Sequence, residues 1–297
     1  MQKKTWKGTG LNPYMEGPIN LGALAPEGPD TCDKGKLITL LLLLAGSLRA
    51  QTSQPEALAA VRAAVASEMQ ASDTDKSNWM YRDQDDSPGH KATYNAIETP
   101  QGELRRLIAL NGRPLSPSED QDEVQRIQHF VHDTYEQSRA HRSSNHDDAQ
   151  AAELLKMLPD AFLWSIAGQN AEEITLDFKP NPHFDPPDTQ SRVLGAMAGQ
   201  LVIARNGNRI RTLRGRLTRE IVFGLAIFGK LDAGGTFDVE RRLVGSGHWQ
   251  ITETHVHIGG RALLFKSIGT QQDEVKTDWR PSTDATLAAA AHTLGVQ

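Results

Sequence analysis

The tightest constraint on this chain's fold is a set of tight-turn signals spaced at strand-length intervals. Pro88-Gly89, Pro100-Gln101-Gly102, Asn111-Gly112, Asn206-Gly207 and Gly234-Gly235 punctuate short apolar segments. Glycine and asparagine tolerate the positive φ of hairpin turns, and proline pre-sets φ at the first turn position. Strands joined this tightly must run antiparallel, because a parallel pair needs a long crossover. The first three turns therefore predict a meander of Trp79 to Arg82, Thr93 to Thr99 and Glu103 to Leu110, with Asp85 to Gly89 as its first turn.

The same logic continues downstream. Phe162 to Ile166 and Ile174 to Phe178 form a predicted hairpin, and Leu201 to Ala204 and Ile210 to Leu213 flank Asn206-Gly207. Lys179 to Pro187 holds four prolines, which fix φ and remove donors, so it reads as a stiff loop. Leu217 to Leu231 is the most apolar stretch after the leader, and Gly234-Gly235 turns it into Thr236 to Val244. Strands at Trp249 to Ile258, Ala262 to Ser267 and Gln272 to Trp279 complete the sheet.

Helical spacing marks three regions. Pro55 to Met69 aligns Leu58, Val61, Val65 and Met69 on one face. Ser116, Pro117 and Glu119 spell a capping box with proline at the first helical position, followed by Val124, Ile127, Val131 and Tyr135 on one face. That pattern continues, interrupted by polar residues, to Pro159, giving a helical insertion over 116–159. Asp284 to Leu294 is an alanine-rich closing helix. The class is α+β: a single domain over 51–297, built as one curved antiparallel sheet with helices packed on it.

A chain of 297 residues can bury such a core without disulfides or metals. Net charge is −5 with acids and bases mixed, so no basic stripe exists for nucleic acid or anionic membrane. The single cysteine, Cys32, precedes a leucine run, Leu40 to Leu44, itself preceded by Lys34 and Lys36 and followed by Ala45-Gly46-Ser47. This is the order of a signal peptide within a leader over 1–50, with its apolar core at 37–47 and cleavage near Ala50. The expected compartment is the periplasm, and the apolar run is too short to span a membrane. Leu44 to Ser47 is similar to a lipoprotein box with serine in place of the lipidated cysteine, so no lipid anchor is expected.

Catalytic patterns are sparse. No Gly-x-Ser-x-Gly elbow exists, and Gly224 and Gly229 lie in an apolar run with Leu231 where a phosphate loop needs serine or threonine. Glu253, His255 and His257 alternate along one strand and so share a face, a spacing that suits a metal, although a solvated sheet face accounts for them as well. His129 and His132 lie three apart on the predicted helix and could share a metal or meet an acid. Trp164, Phe178, Phe223, Leu225, Phe228 and Phe265 are candidates to line an apolar ligand cavity, with ordinary core as the plainer explanation.

Several segments carry a family resemblance: Asn78 to Arg82, Leu155 to Phe162, Phe178 to Pro182, Ala196 to Leu201, Gly247 to Trp249 and Leu264 to Ile268. On these the chain resembles an uncharacterised exported bacterial family that looks like the outer-membrane lipoprotein-sorting (LolA-like) carriers. The resemblance implies a half-open antiparallel barrel with helices on its concave face and a cavity for acyl chains. The insertion over 116–159 departs from that pattern.

The expectation is a periplasmic carrier or chaperone for lipid, acylated protein or another apolar ligand, without cofactor and without catalysis. The alternative is a non-catalytic envelope interaction or regulatory protein that uses the insertion as its contact surface and has an envelope protein as partner.

Overall fold

The computed structural model describes residues 47–223, 229–245, 247–262 and 266–296. Most of the expected leader, Cys32 and the cavity candidates Leu225, Phe228 and Phe265 lie outside the described residues. Thirteen strands form one sheet. They are β1 (Trp79–Ser87), β2 (His90–Thr99), β3 (Gly102–Leu110), β4 (Arg113–Pro114), β5 (Phe162–Gln169), β6 (Glu173–Pro180), β7 (Met197–Ala204), β8 (Arg209–Leu217), β9 (Ile221–Phe223), β10 (Gly229–Leu231), β11 (Thr236–Val244), β12 (His248–Ala262) and β13 (Lys266–Pro281). Five helices accompany them: α1 (Ser47–Thr74), α2 (Pro117–His132), α3 (Thr134–Ala161), α4 (Thr189–Leu194) and α5 (Leu287–Thr293).

The main path runs β4-β3-β2-β1-β13-β12-β11-β8-β7-β6-β5, with β10 paired to β12 and to β9. The sheet is curved, and β4 and β5 end the path without meeting, so it is unclosed. β1 through β4, β5 with β6, and β7 with β8 pair through tight turns, as expected, whereas β6 and β7 pair across α4. The one long-range closure is β1 against β13, joining the first strand to the last. Proline in β4 blunts that edge against further pairing.

Register divides the sheet into two faces. Directly opposed residues share a face, so Leu176, Leu201, Leu213, Val239, Thr254, Glu274 and Asp85 lie in one row across seven strands. α1 packs on this face over β5 and β8, placing Ala57, Val61, Ala64 and Val65 in one core with Trp164, Leu176, Phe178, Leu201 and Ile203. α2 and α5 take the other face at the opposite end, where Ile127, Leu287 and Ala290 bury Ile97 and Leu104. Helices thus cover both faces rather than the concave one alone.

Other differences have local causes. β1 runs on through Asp85 and Asp86, so the first turn is Pro88-Gly89 alone. Asp133 ends α2 and caps α3 by accepting from the N–H groups of Tyr135 and Glu136, which breaks the expected helical phase and leaves Tyr135 71% exposed. Pro159 sits inside the last turn of α3, which ends at Ala161. The proline-rich loop yields to α4, capped by Asp188. Gly259 and Gly260 stay in the ladder opposite Gly269 and Ile268, so of the expected strand from Ala262 to Ser267, Ala262 ends β12 and Lys266 and Ser267 begin β13, while 263–265 lie outside the described residues.

Candidate functional site

The α1 face has an apolar half and a charged half. In the apolar half the rings of Phe162, Trp164 and Phe178 meet at centroid distances of 4.5 to 5.6 Å. Trp164 opposes Phe178, which opposes Gly199, then Gly215, then Phe237. The two glycines are required by contact: a Cβ on Gly199 would stand 1.9 Å from the Arg214 carbonyl oxygen, and one on Gly215 would stand 2.5 Å from the Phe237 ring. Trp164 and Phe178 are therefore core residues that share one packed cluster with α1, and Phe223 is half-buried against the same cluster.

α1 meets this surface mostly with small side chains. Its fully buried positions are Ala57, Val61 and Ala64. At roughly 25 cal/mol per Å² of apolar area, such a seam contributes less per turn than leucines would. A polar clamp compensates. The Glu68 carboxylate is buried, accepts from Arg209 Nε and Nη2 at 3.1 and 2.8 Å and from the Ile210 N–H at 2.7 Å, and lies 2.6 Å from Arg241 Nη1. Burial alone would raise its pKa, but the two guanidinium groups hold it below the ordinary value. Beyond the helix, Ser77 donates to Asp75 Oδ1 and accepts from Trp79 Nε1, and His248 Nδ1 lies 3.2 Å from Asp75 Oδ2.

The charged half was not foreseen. Asp83 opposes Lys276 and Asp85 opposes Glu274, all four on the α1 face, with the three carboxyl groups buried and Lys276 nearly so. Arg105 reaches Asp83 Oδ2 at 2.7 Å and stacks 4.0 Å over the Tyr94 ring, while Lys276 lies 3.5 Å from Glu274. Asp83 Oδ1 and Asp85 Oδ1 have no hydrogen-bond partner. Burial raises the Glu274 pKa to about 7 despite Lys276, and burial likewise raises Asp83 despite Arg105. Tyr81 donates to Glu103 and stacks on Trp279 at 4.4 Å, so an aromatic cluster borders the acids. No spacing could single these residues out, because β1 and β13 lie at opposite ends of the chain.

The three metal candidates stand on the opposite face. His255 Nδ1 lies 2.6 Å from Asp273 Oδ1, His257 Nε2 lies 3.1 Å from both Asp273 oxygens, and Glu253 Oε2 lies 3.7 Å from His255 Nε2. Asp273, directly across from His255, is the partner that the sequence did not reveal. Of the helical histidines, His129 meets an acid, with Nδ1 3.6 Å from Glu136 Oε2, and Asp133 joins this group. A shallow groove of about 490 Å³, lined by Asp177, Gln200, Arg214 and Arg216 among others, also opens on the face away from α1.

No family model matches this chain, and no curated protein does. A solved structure of a DUF1329 family protein from Desulfovibrio piger is 11% identical, covering 81% of this chain and 99% of that one, with a TM-score of 0.24. A likeness that slight carries no argument. Among the described residues, no helix is long and apolar enough to cross a membrane.

Proposed function

We propose that this chain is a non-catalytic periplasmic carrier that takes an apolar or amphipathic ligand, such as a lipid or an acylated protein, against the α1 face of its unclosed sheet. The observation that carries this reading is the construction of the α1 seam. A helix whose fully buried positions are two alanines and a valine, with Leu58 and Met69 only partly buried, and which a polar clamp fixes, is more readily exchanged for an acyl chain than a helix that buries leucines throughout. The charged half of the same face would then hold the ligand's polar end, where Lys276 and the carboxyl groups are already desolvated.

The test is native mass spectrometry of the protein purified from a bacterial periplasm without detergent, before and after incubation with envelope phospholipids. A stoichiometric lipid adduct that is lost on Phe223→Asp supports a carrier. A bare mass that lipid does not change refutes it and moves the weight to an interaction protein, for which exposed Tyr135 at the α2–α3 corner marks the contact surface.

A further inference from the structure

We propose that His255, His257 and Asp273 form a surface site for a divalent transition-metal ion of the zinc class, with Glu253 as the group that orients His255. β12 is an inner strand, paired with β11 on one side and β13 on the other. Glu253, His255 and His257 alternate along it without a bulge in the β12–β13 register, so their Cβ atoms are fixed on one face. Asp273 comes from β13, directly across from His255, and gathers both imidazoles.

The chemistry selects the ion. Two imidazole nitrogens with one carboxylate suit zinc, copper, nickel or cobalt, whereas calcium and magnesium prefer oxygen alone. Zinc binds imidazole nitrogen at about 2.0 Å and carboxylate oxygen at about 2.1 Å, so its ligand atoms stand roughly 3.3 Å apart. The nitrogen–oxygen separations here are 2.6 and 3.1 Å, so those pairs need to open by less than about 1 Å, while the two imidazoles, whose donor nitrogens are not yet within 4.8 Å of each other, close on the ion by rotation of the exposed His257 ring. His255 would bind through Nδ1 while its Nε2 stands 3.7 Å from Glu253 Oε2, from where a small ring movement makes the carboxylate–histidine–metal hydrogen bond that fixes ring orientation and raises ligand basicity. Arg242 donates to Glu253 at 2.8 Å and holds that carboxylate in turn. All three ligands are solvent-accessible, at 35%, 48% and 41% for His255, His257 and Asp273, so an ion reaches them without any rearrangement of the core.

The experiment uses the untagged protein and titrates it with Zn²⁺ in a calorimeter and with Co²⁺ followed by visible absorption. Binding of one ion is expected, together with no response to Ca²⁺ or Mg²⁺. His257→Ala and Asp273→Asn should each weaken Zn²⁺ at least tenfold with unchanged far-ultraviolet circular dichroism, and Glu253→Gln should weaken it less. His129→Ala, at the other histidine–acid group, should leave affinity unchanged. The site is overturned if the protein binds no Zn²⁺, if binding survives His257→Ala combined with Asp273→Asn, or if it is lost with His129→Ala. None of these outcomes depends on lipid, so the metal site and the carrier stand or fall separately.

Discussion

Glu274 lies directly opposite Asp85 in the β1–β13 ladder, so two buried carboxyl groups face each other on the α1 face. Like charges in directly opposed positions are unfavourable in a sheet, and burial removes the water that would screen them. A proton held on Glu274 relieves this: burial raises its pKa to about 7, and the Asp83 and Glu103 carboxylates add to the rise. Polar groups of this kind in a sheet interior weaken the core they occupy.

That proton sets a pH dependence. The folded pKa of Glu274 is raised above its ordinary value of 4.5, so the folded state binds the proton more tightly than the unfolded chain. Its contribution is full below about pH 4.5 and is lost as pH rises through about 7, on the order of 3 kcal/mol for a shift of this size. Glu274→Gln should therefore gain stability relative to the parent between pH 5 and pH 8, measured by urea unfolding at both pH values. An identical pH dependence in parent and variant would mean that Glu274 ionises freely.

Glu68 is the clamp on α1. Glu68→Ala leaves Arg209 and Arg241 without their buried counter-charge and should cost about 3 kcal/mol. Hydrogen exchange should show the loss concentrated in α1 amides. Protection that falls equally throughout the sheet would place the clamp in the global fold instead.

Gly199 tests the close approach of β7 and β8, with Gly168 of β5 as its contrast. Gly199→Ala drives a methyl group into the Arg214 backbone, which cannot rotate away, and should cost 1–3 kcal/mol or more. Gly168→Ala meets nothing within 4 Å and should change stability little. Thermal unfolding of both variants checks the contrast, and equal midpoints would contradict the packing.

The sequence was most legible where structure is local. The Ser116–Glu119 capping box forms with both of its hydrogen bonds, because its partners are three residues apart. The hairpins around Pro100-Gln101, Asn111-Gly112 and Asn206-Gly207 are set by their turns, with Asn111, Gly112, Gly207 and Asn208 all at positive φ. Non-local pairing was not legible. Nothing near Asp83 or Asp85 announces that Lys276 and Glu274 will lie across from them, and nothing near His255 announces Asp273. The histidine–glutamate set could be read because its members share one strand, but its carboxylate partner required the fold. The cavity candidates Trp164 and Phe178 lie in the core cluster with α1, a packing that needed the β5–β6 pairing and the α1 seam to be seen.

The most direct test of the carrier is hydrogen exchange of the protein with and without a saturating short-chain phospholipid. If α1 gives way to the ligand, its amides around Ala57 to Ala64 should exchange faster in the loaded protein while β6 and β7 stay protected. Unchanged α1 protection with lipid bound elsewhere, or no bound lipid at all, would contradict the α1 face as a ligand site.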